Sequence, residues 1–322
     1  MLNLKAPVSV VWEVTNNCNF LCPHCRAYCI HEEDNEEIEN RIVSEIIKAK
    51  VLAVNISGGE PLLNSRVFNI IKKLTSNNIY VGISTNGWFY EKYRNDIVES
   101  GVKFVQVSLD GPKEVHEKFR GVKGSYDRAI RALTLAKEDG MFTQMNVTIT
   151  AENLDTLEWN FYEAKKLKVD KVFYRRVVPY GKAKENDYVL PAKEKYYTKI
   201  KKLSKLSTDD LVVAIDDPIL NVLLNRDVNN YLGCGAGINN VGISSDGDVY
   251  PCIFLREKVG NLMETSLMTI WNSSSILKKL RNREIQECGS CKYKFSCGGC
   301  RAFSGMFSKD SLCPLKEPCV ND

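Results

Sequence analysis

Cysteines are the residues of this sequence best suited to chemistry, and none lies between Cys29 and Cys234. The twelve form an early and a late group: Cys18, Cys22, Cys25 and Cys29, then Cys234, Cys252, Cys288, Cys291, Cys297, Cys300, Cys313 and Cys319. The chain shows no signal-peptide pattern and no apolar run near the roughly 20 residues of a membrane span, so we expect a cytoplasmic protein with reduced thiols. Clustered cysteines there predict metal ligands, and with only three histidines the ligands would be mainly sulfur, which favours zinc or iron–sulfur clusters.

The early group has the spacing CxxxCxxC from Cys18 to Cys25. Three thiolates close together can hold three irons of a cubic 4Fe-4S cluster, which normally takes four cysteines. The remaining iron would be open to a ligand, as a catalytic zinc keeps one open position. On spacing alone, a structural zinc site and a four-cysteine cluster completed by Cys29 are the alternatives.

The late group centres on a run in which Cys288, Cys291, Cys297 and Cys300 are separated by two, five and two residues. Its eight thiolates suit two four-cysteine clusters or two zinc ions, and spacing alone favours zinc. From Cys234 onward the sequence has few long elements, so we expect bound metal to contribute to its stability.

Short apolar runs alternate with amphipathic helices through the first 180 residues, which predicts a parallel sheet with helices outside. The predicted strands are Val8–Val14, Leu52–Ile56, Tyr80–Ile83, Phe104–Ser108, Gln144–Ile149 and Lys171–Tyr174. The predicted helices are Glu36–Ala49, Arg66–Leu74, Glu91–Glu99, Tyr126–Glu138 and Leu157–Leu167. Six units are fewer than the eight of a full barrel. The early cysteines follow the first strand, where βα barrels build active sites.

We expect three regions: a barrel core over 1–180, a linker with bridging helices over 181–233, and a cysteine-rich domain over 234–322. The linker contains a lysine-rich helix at 196–206. The last region contains a hairpin around Asp246-Gly247 and a helix over Leu267–Leu280. A net charge of +4, with no basic block, argues against a nucleic-acid partner.

Four further motifs follow the cysteines in chain order, and together they resemble the radical S-adenosylmethionine superfamily over residues 8–180. They are Gly58-Gly59-Glu60-Pro61, Ser84-Thr85-Asn86-Gly87, Ser108-Leu109-Asp110-Gly111, and Arg120. The first three end the second, third and fourth predicted strands. This resemblance implies a partial (β/α)6 barrel, an α/β fold, followed by a small Fe–S domain.

The resemblance also implies the chemistry. Cys18, Cys22 and Cys25 would hold a 4Fe-4S cluster whose electron cleaves S-adenosylmethionine to methionine and a 5′-deoxyadenosyl radical, which abstracts hydrogen from the substrate. The residues implied to bind S-adenosylmethionine are Gly58, Gly59, Glu60, Pro61, Ser84, Asn86, Ser108, Asp110 and Arg120. Within this set Glu60 would accept from the amino group, and Arg120 would pair with the carboxylate. An oxygen-sensitive enzyme with a low-potential donor such as ferredoxin or flavodoxin is expected.

Residues 234–319 resemble the SPASM domain of radical S-adenosylmethionine maturases, through Gly242 to Cys252, Gly260-Asn261-Leu262 with Trp271, and Cys297 to Ala302. The implied ligand sets are Cys288, Cys291 and Cys297 with Cys313 or Cys319 for one auxiliary 4Fe-4S cluster, and Cys234, Cys252 and Cys300 for another. Ile253 stands where sulfatase-activating members carry an aspartate base, which disfavours formylglycine formation.

SPASM members act mostly on peptides or cofactor precursors, so a maturation step by oxidation, decarboxylation or crosslinking is expected. The first strand starts near Val8, so we expect no leader-binding extension. The segments at 175–181 and 297–302 resemble enzymes that decarboxylate tetrapyrrole (haem-type) side chains. Arg175, Arg176 and Arg301 would meet substrate carboxylates or form structural ion pairs. The alternative to an enzyme is a non-enzymatic protein, either an Fe–S electron carrier or a zinc-binding interaction module. Such a protein would not need the GGEP motif or Arg120.

Overall fold

Ten strands form one sheet in the computed structural model, which describes residues 4–26 and 33–315. The strands are β1 (Ser9–Glu13), β2 (Ala53–Ser57), β3 (Tyr80–Thr85), β4 (Phe104–Ser108), β5 (Phe142–Ile149), β6 (Lys171–Arg176), β7 (Val212–Ile215), β8 (Asn240–Ile243), β9 (Asp248–Tyr250) and β10 (Gly260–Asn261). Their order is β10-β9-β8-β1-β2-β3-β4-β5-β6-β7. All neighbours from β8 through β1 to β7 are parallel, and β9 and β10 are antiparallel additions.

Helices connect the parallel strands, and three more follow the last strand. They are α1 (Glu36–Lys48), α2 (Val67–Thr75), α3 (Arg94–Glu99), α4 (Lys113–Arg120), α5 (Ser125–Glu138), α6 (Leu157–Lys166), α7 (Lys182–Glu185), α8 (Lys193–Leu203), α9 (Ile219–Leu223), α10 (Leu267–Ser273), α11 (Ser275–Arg281) and α12 (Arg301–Ser304). Within the described residues, none of them could span a membrane.

The six predicted strands and the α/β fold with its parallel sheet are confirmed. Apolar side chains such as Val10, Trp12 and Ile56 are fully buried, because helices cover the outer face of the sheet. The helix α1 begins where the Asn35 side chain accepts hydrogen bonds from two backbone N–H groups of its first turn. Ile42 and Ile46 on this helix are fully buried.

The chain after residue 180 differs in detail from the expectation. The four-residue strand β7 pairs with β6 inside the segment predicted to be a linker, and β8 pairs with β1. The expected single helix Leu267–Leu280 is wrong: Ser274 is extended there (φ −57°, ψ 120°) and its hydroxyl accepts from the N–H of Leu277, which starts a second helix. The hairpin around Asp246-Gly247 is present as β8 and β9.

Candidate active site and cluster cavities

A cavity of about 480 Å³ opens among the parallel strands and their carboxyl ends. The predicted site residues that line it are Cys18, Cys22, Cys25, Gly58, Gly59, Ser84, Asn86, Ser108 and Arg120. These residues come from the loop after β1 and from the ends of β2, β3 and β4, with Arg120 from the last turn of α4. The topology therefore brings most of the dispersed motifs to one cavity.

The loop that carries the early cysteines folds back on itself, since the N–H of Cys25 donates to the carbonyl of Cys22 at 3.0 Å. Burial raises the pKa of the Cys22 thiol to about 11, although the nearby Arg120 guanidinium opposes this. A buried thiol of this kind loses its proton on binding a metal. Cys29 lies outside the described residues.

Three thiols on one loop at one cavity fit an iron–sulfur cluster in donor type. Within residues 4–26 and 33–315, no group of three or more His, Cys, Asp or Glu side chains is placed to hold a single metal ion. A 4Fe-4S cluster differs, because each cysteine ligates a separate iron. The neighbouring His24 belongs to the packing: its ring stacks on Phe119 with 3.7 Å between centroids, and burial lowers its pKa to about 3.

The glycines of the GGEP motif position this loop. The N–H of Gly59 donates to the Thr15 carbonyl at 2.8 Å. A Cβ on Gly58 would lie 2.4 Å from the Thr15 carbonyl oxygen, and one on Gly59 would lie 2.3 Å from that of Asn17. Gly58 also has φ of +146°, which side-chain-bearing residues rarely adopt. Only glycine thus allows β2 to end against the chain that leads to Cys18.

Glu60 is fully buried and is absent from the cavity lining, as is Pro61. One Glu60 oxygen accepts from the Thr85 hydroxyl and the other from the backbone N–H of Asn86, both at 2.8 Å. Burial raises the pKa of Glu60 to about 7 against these hydrogen bonds. The structure therefore places Glu60 where it holds the Asn86 turn under the cavity.

Asp110 is also buried beneath the cavity, where it anchors Arg120. Asp110 Oδ2 accepts from Arg120 Nε at 2.8 Å and Nη2 at 2.7 Å, and its Oδ1 accepts from the N–H of Thr148 at 2.9 Å. Burial acts to raise the pKa of Asp110, but the Arg120 guanidinium outweighs it and holds that pKa well below its usual range. A permanently charged pair thus fixes the guanidinium at the cavity beside Cys22.

Sequence reasoning missed an amide network on the strand faces that line the cavity. Its members are Asn55, Gln106, Gln144 and Asn146, joined to Ser84. Asn55 Nδ2 donates to Ser84 Oγ at 2.9 Å, Gln106 Nε2 donates to Asn55 Oδ1 at 2.9 Å, and Gln144 Nε2 donates to Gln106 Oε1 at 3.0 Å. The signal was available, because these polar residues alternate with apolar ones within predicted strands.

The three arginines singled out in the sequence have different surroundings. Arg176 is buried between Asp217 at 3.0 Å and Asp310 at 2.5 Å. Arg301 is also buried and donates to backbone carbonyls, including that of Ser308 at 2.7 Å. These two therefore support the structure. Arg175 is partly exposed and, like Arg176, lines the active-site cavity, but only one exposed aspartate, Asp216, pairs with it among the described residues.

A second cavity of about 390 Å³ is lined by Cys234, Cys252 and Cys300, and it shares Arg175 and Phe254 with the first. Burial raises the pKa of Cys300 to about 12, with Arg176 opposing the rise. These thiols are one of the two ligand sets that the SPASM resemblance implies.

The other set lines a small third cavity, and it is linked to the first set where the N–H of Cys234 donates to the Cys297 carbonyl at 3.1 Å. Its thiols are Cys288, Cys291, Cys297 and Cys313. The N–H of Gly299 donates to the sulfur of Cys297 at 3.3 Å, and burial raises the pKa of Cys297 to about 12. Cys319, the other candidate for the late ligand, lies outside the described residues. Of the two, the structure shows only Cys313, and it lies with this set; the ligand roles stay predictions.

Comparison with known families matches residues 12–159 to the radical SAM superfamily and residues 234–298 to SPASM, an iron–sulfur cluster-binding domain. The mycofactocin maturase of Mycolicibacterium smegmatis is 30% identical over 94% of this chain and 81% of its own. The chain belongs to the radical SAM superfamily. The AdoMet-dependent heme synthase of Methanosarcina barkeri is 29% identical to this radical SAM protein, over 96% of this chain and 95% of its own.

Solved structures support the same fold. Streptococcus suis SuiB bound to S-adenosylmethionine superposes with a TM-score of 0.76 at 20% identity, covering 97% of this chain and 78% of SuiB. The radical SAM chain is therefore an enzyme whose cofactors are S-adenosylmethionine and 4Fe-4S clusters, as predicted. The alternative of a non-enzymatic carrier or zinc module is set aside.

Proposed function

We propose that this enzyme acts on a tetrapyrrole cofactor precursor and removes the carboxyl group of a propionate side chain. Support comes from the heme synthase relatives, one of which is matched over 95% of its length. The observation that carries the proposal is that two cations, Lys171 and Arg175, line the active-site cavity in addition to Arg120, which is assigned to the cofactor. Cations in a partly buried cavity favour a substrate that carries carboxylates.

In this proposal Cys18, Cys22 and Cys25 hold the 4Fe-4S cluster. When bound, cluster and S-adenosylmethionine supply the 5′-deoxyadenosyl radical. Arg120, fixed by Asp110, binds the carboxylate of the methionine moiety through a guanidinium fork. Its position at the end of α4 sets where that moiety lies relative to the substrate.

The proposed reaction balances as an oxidation. A hydrogen atom leaves the propionate carbon that is β to the carboxyl group, which is the methylene attached to the macrocycle. This hydrogen becomes part of 5′-deoxyadenosine. The carbon–carbon bond to the carboxylate then breaks, carbon dioxide leaves, a vinyl group remains, and one electron must leave the substrate. The thiols proposed to hold an electron acceptor, Cys234, Cys252 and Cys300, line the cavity that adjoins the first. An external low-potential donor such as ferredoxin or flavodoxin is proposed to start each turnover.

A second candidate is a maturation step on a peptide. It is favoured by the mycofactocin maturase relative at 30% identity over 94% of this chain. The residues that hold the cofactors would be the same, and only the hydrogen donor and the fate of the substrate radical would differ. The two candidates therefore separate on substrate and not on cofactor cleavage.

The experiment is anaerobic turnover of reconstituted enzyme with S-adenosylmethionine, dithionite and iron-coproporphyrin III. The proposal predicts 5′-deoxyadenosine together with a porphyrin product that has lost carbon dioxide and two hydrogens per side chain. The control is Cys22→Ala, which should form neither. Formation of 5′-deoxyadenosine with unchanged porphyrin would refute the tetrapyrrole proposal, and a mass change in a precursor peptide would then support the second candidate.

A further inference from the structure

The strand β6 presents alternate residues to the active-site cavity: Lys171, Phe173 and Arg175 all line it. The Nζ of Lys171 lies 5.0 Å from the centroid of the Phe173 ring, and the guanidinium carbon of Arg175 lies 5.3 Å from the same centroid. The Arg175 guanidinium carbon also lies 4.5 Å from the ring of Phe254, which lines both larger cavities. Two cations therefore flank one aromatic ring along the cavity wall.

These two cations retain hydrogen-bonding capacity. Arg175 donates to Asp216 through Nε at 2.6 Å. Among the described residues, the two terminal nitrogens of Arg175 have no hydrogen-bond acceptor, and neither does Lys171 Nζ. Arg176, the next residue on the strand, is instead held by two buried aspartates. The contrast separates an arginine that supports the fold from one that is available to a ligand.

We propose that Lys171 and Arg175 anchor two carboxylates of the substrate, with its apolar body against Phe173 and Phe254. This inference rests on the proposed function and adds the residues that would recognise the substrate. The terminal nitrogens of an arginine whose Nε is engaged can still bind one carboxylate, and a lysine ammonium can bind another. The two cationic groups lie no more than about 10 Å apart, because they are 5.0 and 5.3 Å from the same Phe173 centroid, so one molecule with two separated carboxylates can reach both.

A tetrapyrrole with several propionates has this form: a flat apolar ring system that carries carboxylates at separated positions. An acidic peptide offers the same carboxylates without the ring system. The position of Arg175 also matters for the reaction, because this residue lies where the two larger cavities meet. A carboxylate bound there would hold the substrate between the S-adenosylmethionine site and the proposed electron acceptor.

The test measures binding with the anaerobically reconstituted holoenzyme, using coproporphyrin III, which has four carboxylates, and its tetramethyl ester as probes. An acidic peptide is the third probe. Lys171→Met and Arg175→Gln should each weaken binding of the acid by about 10- to 100-fold, because each removes a charge-assisted contact. The tetramethyl ester should bind weakly to the wild type and to every variant. Lys171→Arg should retain most of the affinity, and the exposed Lys165→Met, which makes the same charge change on α6, should match the wild type.

Equal binding of acid and ester by the wild type, or no binding of the acid, would overturn the inference. So would wild-type affinity in both Lys171→Met and Arg175→Gln. Preferential binding of the acidic peptide over coproporphyrin III would overturn the tetrapyrrole source of the carboxylates. The proposed function fails separately, if the wild type forms 5′-deoxyadenosine but leaves iron-coproporphyrin III unchanged.

Discussion

Replacing Asp110 by asparagine should weaken S-adenosylmethionine binding and destabilise the fold, because this buried carboxylate serves two sets of donors. Its Oδ2 accepts from two Arg120 nitrogens and its Oδ1 from the Thr148 N–H. Asparagine has one acceptor oxygen, so its amide group would face either the guanidinium or the backbone donor. Arg120 would also lose its buried counter-charge.

The magnitude follows from these contacts. Removing one partner of a buried ion pair costs about 3–5 kcal/mol, so the free energy of unfolding should fall by about that amount. A misoriented Arg120 forfeits a charge-assisted contact to the methionine carboxylate, which is worth about 1.5–3 kcal/mol, or about 10- to 100-fold in affinity. Asp127→Asn is the matched control, because Asp127 is exposed and pairs only with the exposed Lys113 among the described residues. We expect this change to cost less than about 1 kcal/mol.

Urea unfolding and equilibrium dialysis with S-adenosylmethionine measure the two effects in the same reconstituted proteins. The expected result is a large loss of both stability and affinity in Asp110→Asn and little change in Asp127→Asn. Unchanged affinity in a folded Asp110→Asn protein would refute the argument that Asp110 positions Arg120 for the cofactor.

Three further changes test other parts of the site. Cys22→Ala should abolish 5′-deoxyadenosine formation while auxiliary iron remains by iron analysis; retained cleavage would contradict its role. Cys291→Ala should lower iron content and substrate turnover but leave cofactor cleavage without substrate; full iron content would argue against an auxiliary cluster there. The pKa of Glu60 is about 7 in the folded protein and 4.5 ordinarily, so the folded state binds its proton more tightly than the unfolded state. The stability that this proton contributes is fully present below pH 4.5 and is lost as the pH rises to about 7. Glu60→Gln should remove about 3 kcal/mol of that pH dependence, measured as the difference from wild type in urea unfolding at each pH; parallel profiles would show that Glu60 titrates normally.

The sequence was most informative where a local pattern determines structure. Runs such as Val8–Val14 alternate with amphipathic helices, and each predicted strand of the core is present. The strand β7 could not be predicted, because four residues carry too little periodicity and its pairing with β6 is a long-range contact. The break at Ser274 could not be predicted, because a serine within an apolar periodicity is compatible with both a continuing helix and a new N-cap.

The motifs identified the candidate site but not every role within it. Asp110 and Glu60 were expected among the residues that bind the cofactor, whereas the structure has both buried under the cavity with their oxygens engaged by the protein. The difference between Arg175 and Arg176 depends on Asp217 and Asp310, which are distant in sequence. Such assignments depend on tertiary contacts, which spacing within one segment does not report.

The electron paramagnetic resonance spectrum of the dithionite-reduced enzyme, recorded with and without S-adenosylmethionine, reports whether the cofactor binds to a cluster held by the early cysteines. If Cys18, Cys22 and Cys25 hold a cluster with one open iron, the cofactor should alter one cluster signal of the wild type. That signal should be missing when all three cysteines are replaced by alanine, while the auxiliary signals persist. A wild-type spectrum that S-adenosylmethionine leaves unchanged, or a change that survives in the triple variant, would show that these cysteines do not hold the cluster that binds the cofactor.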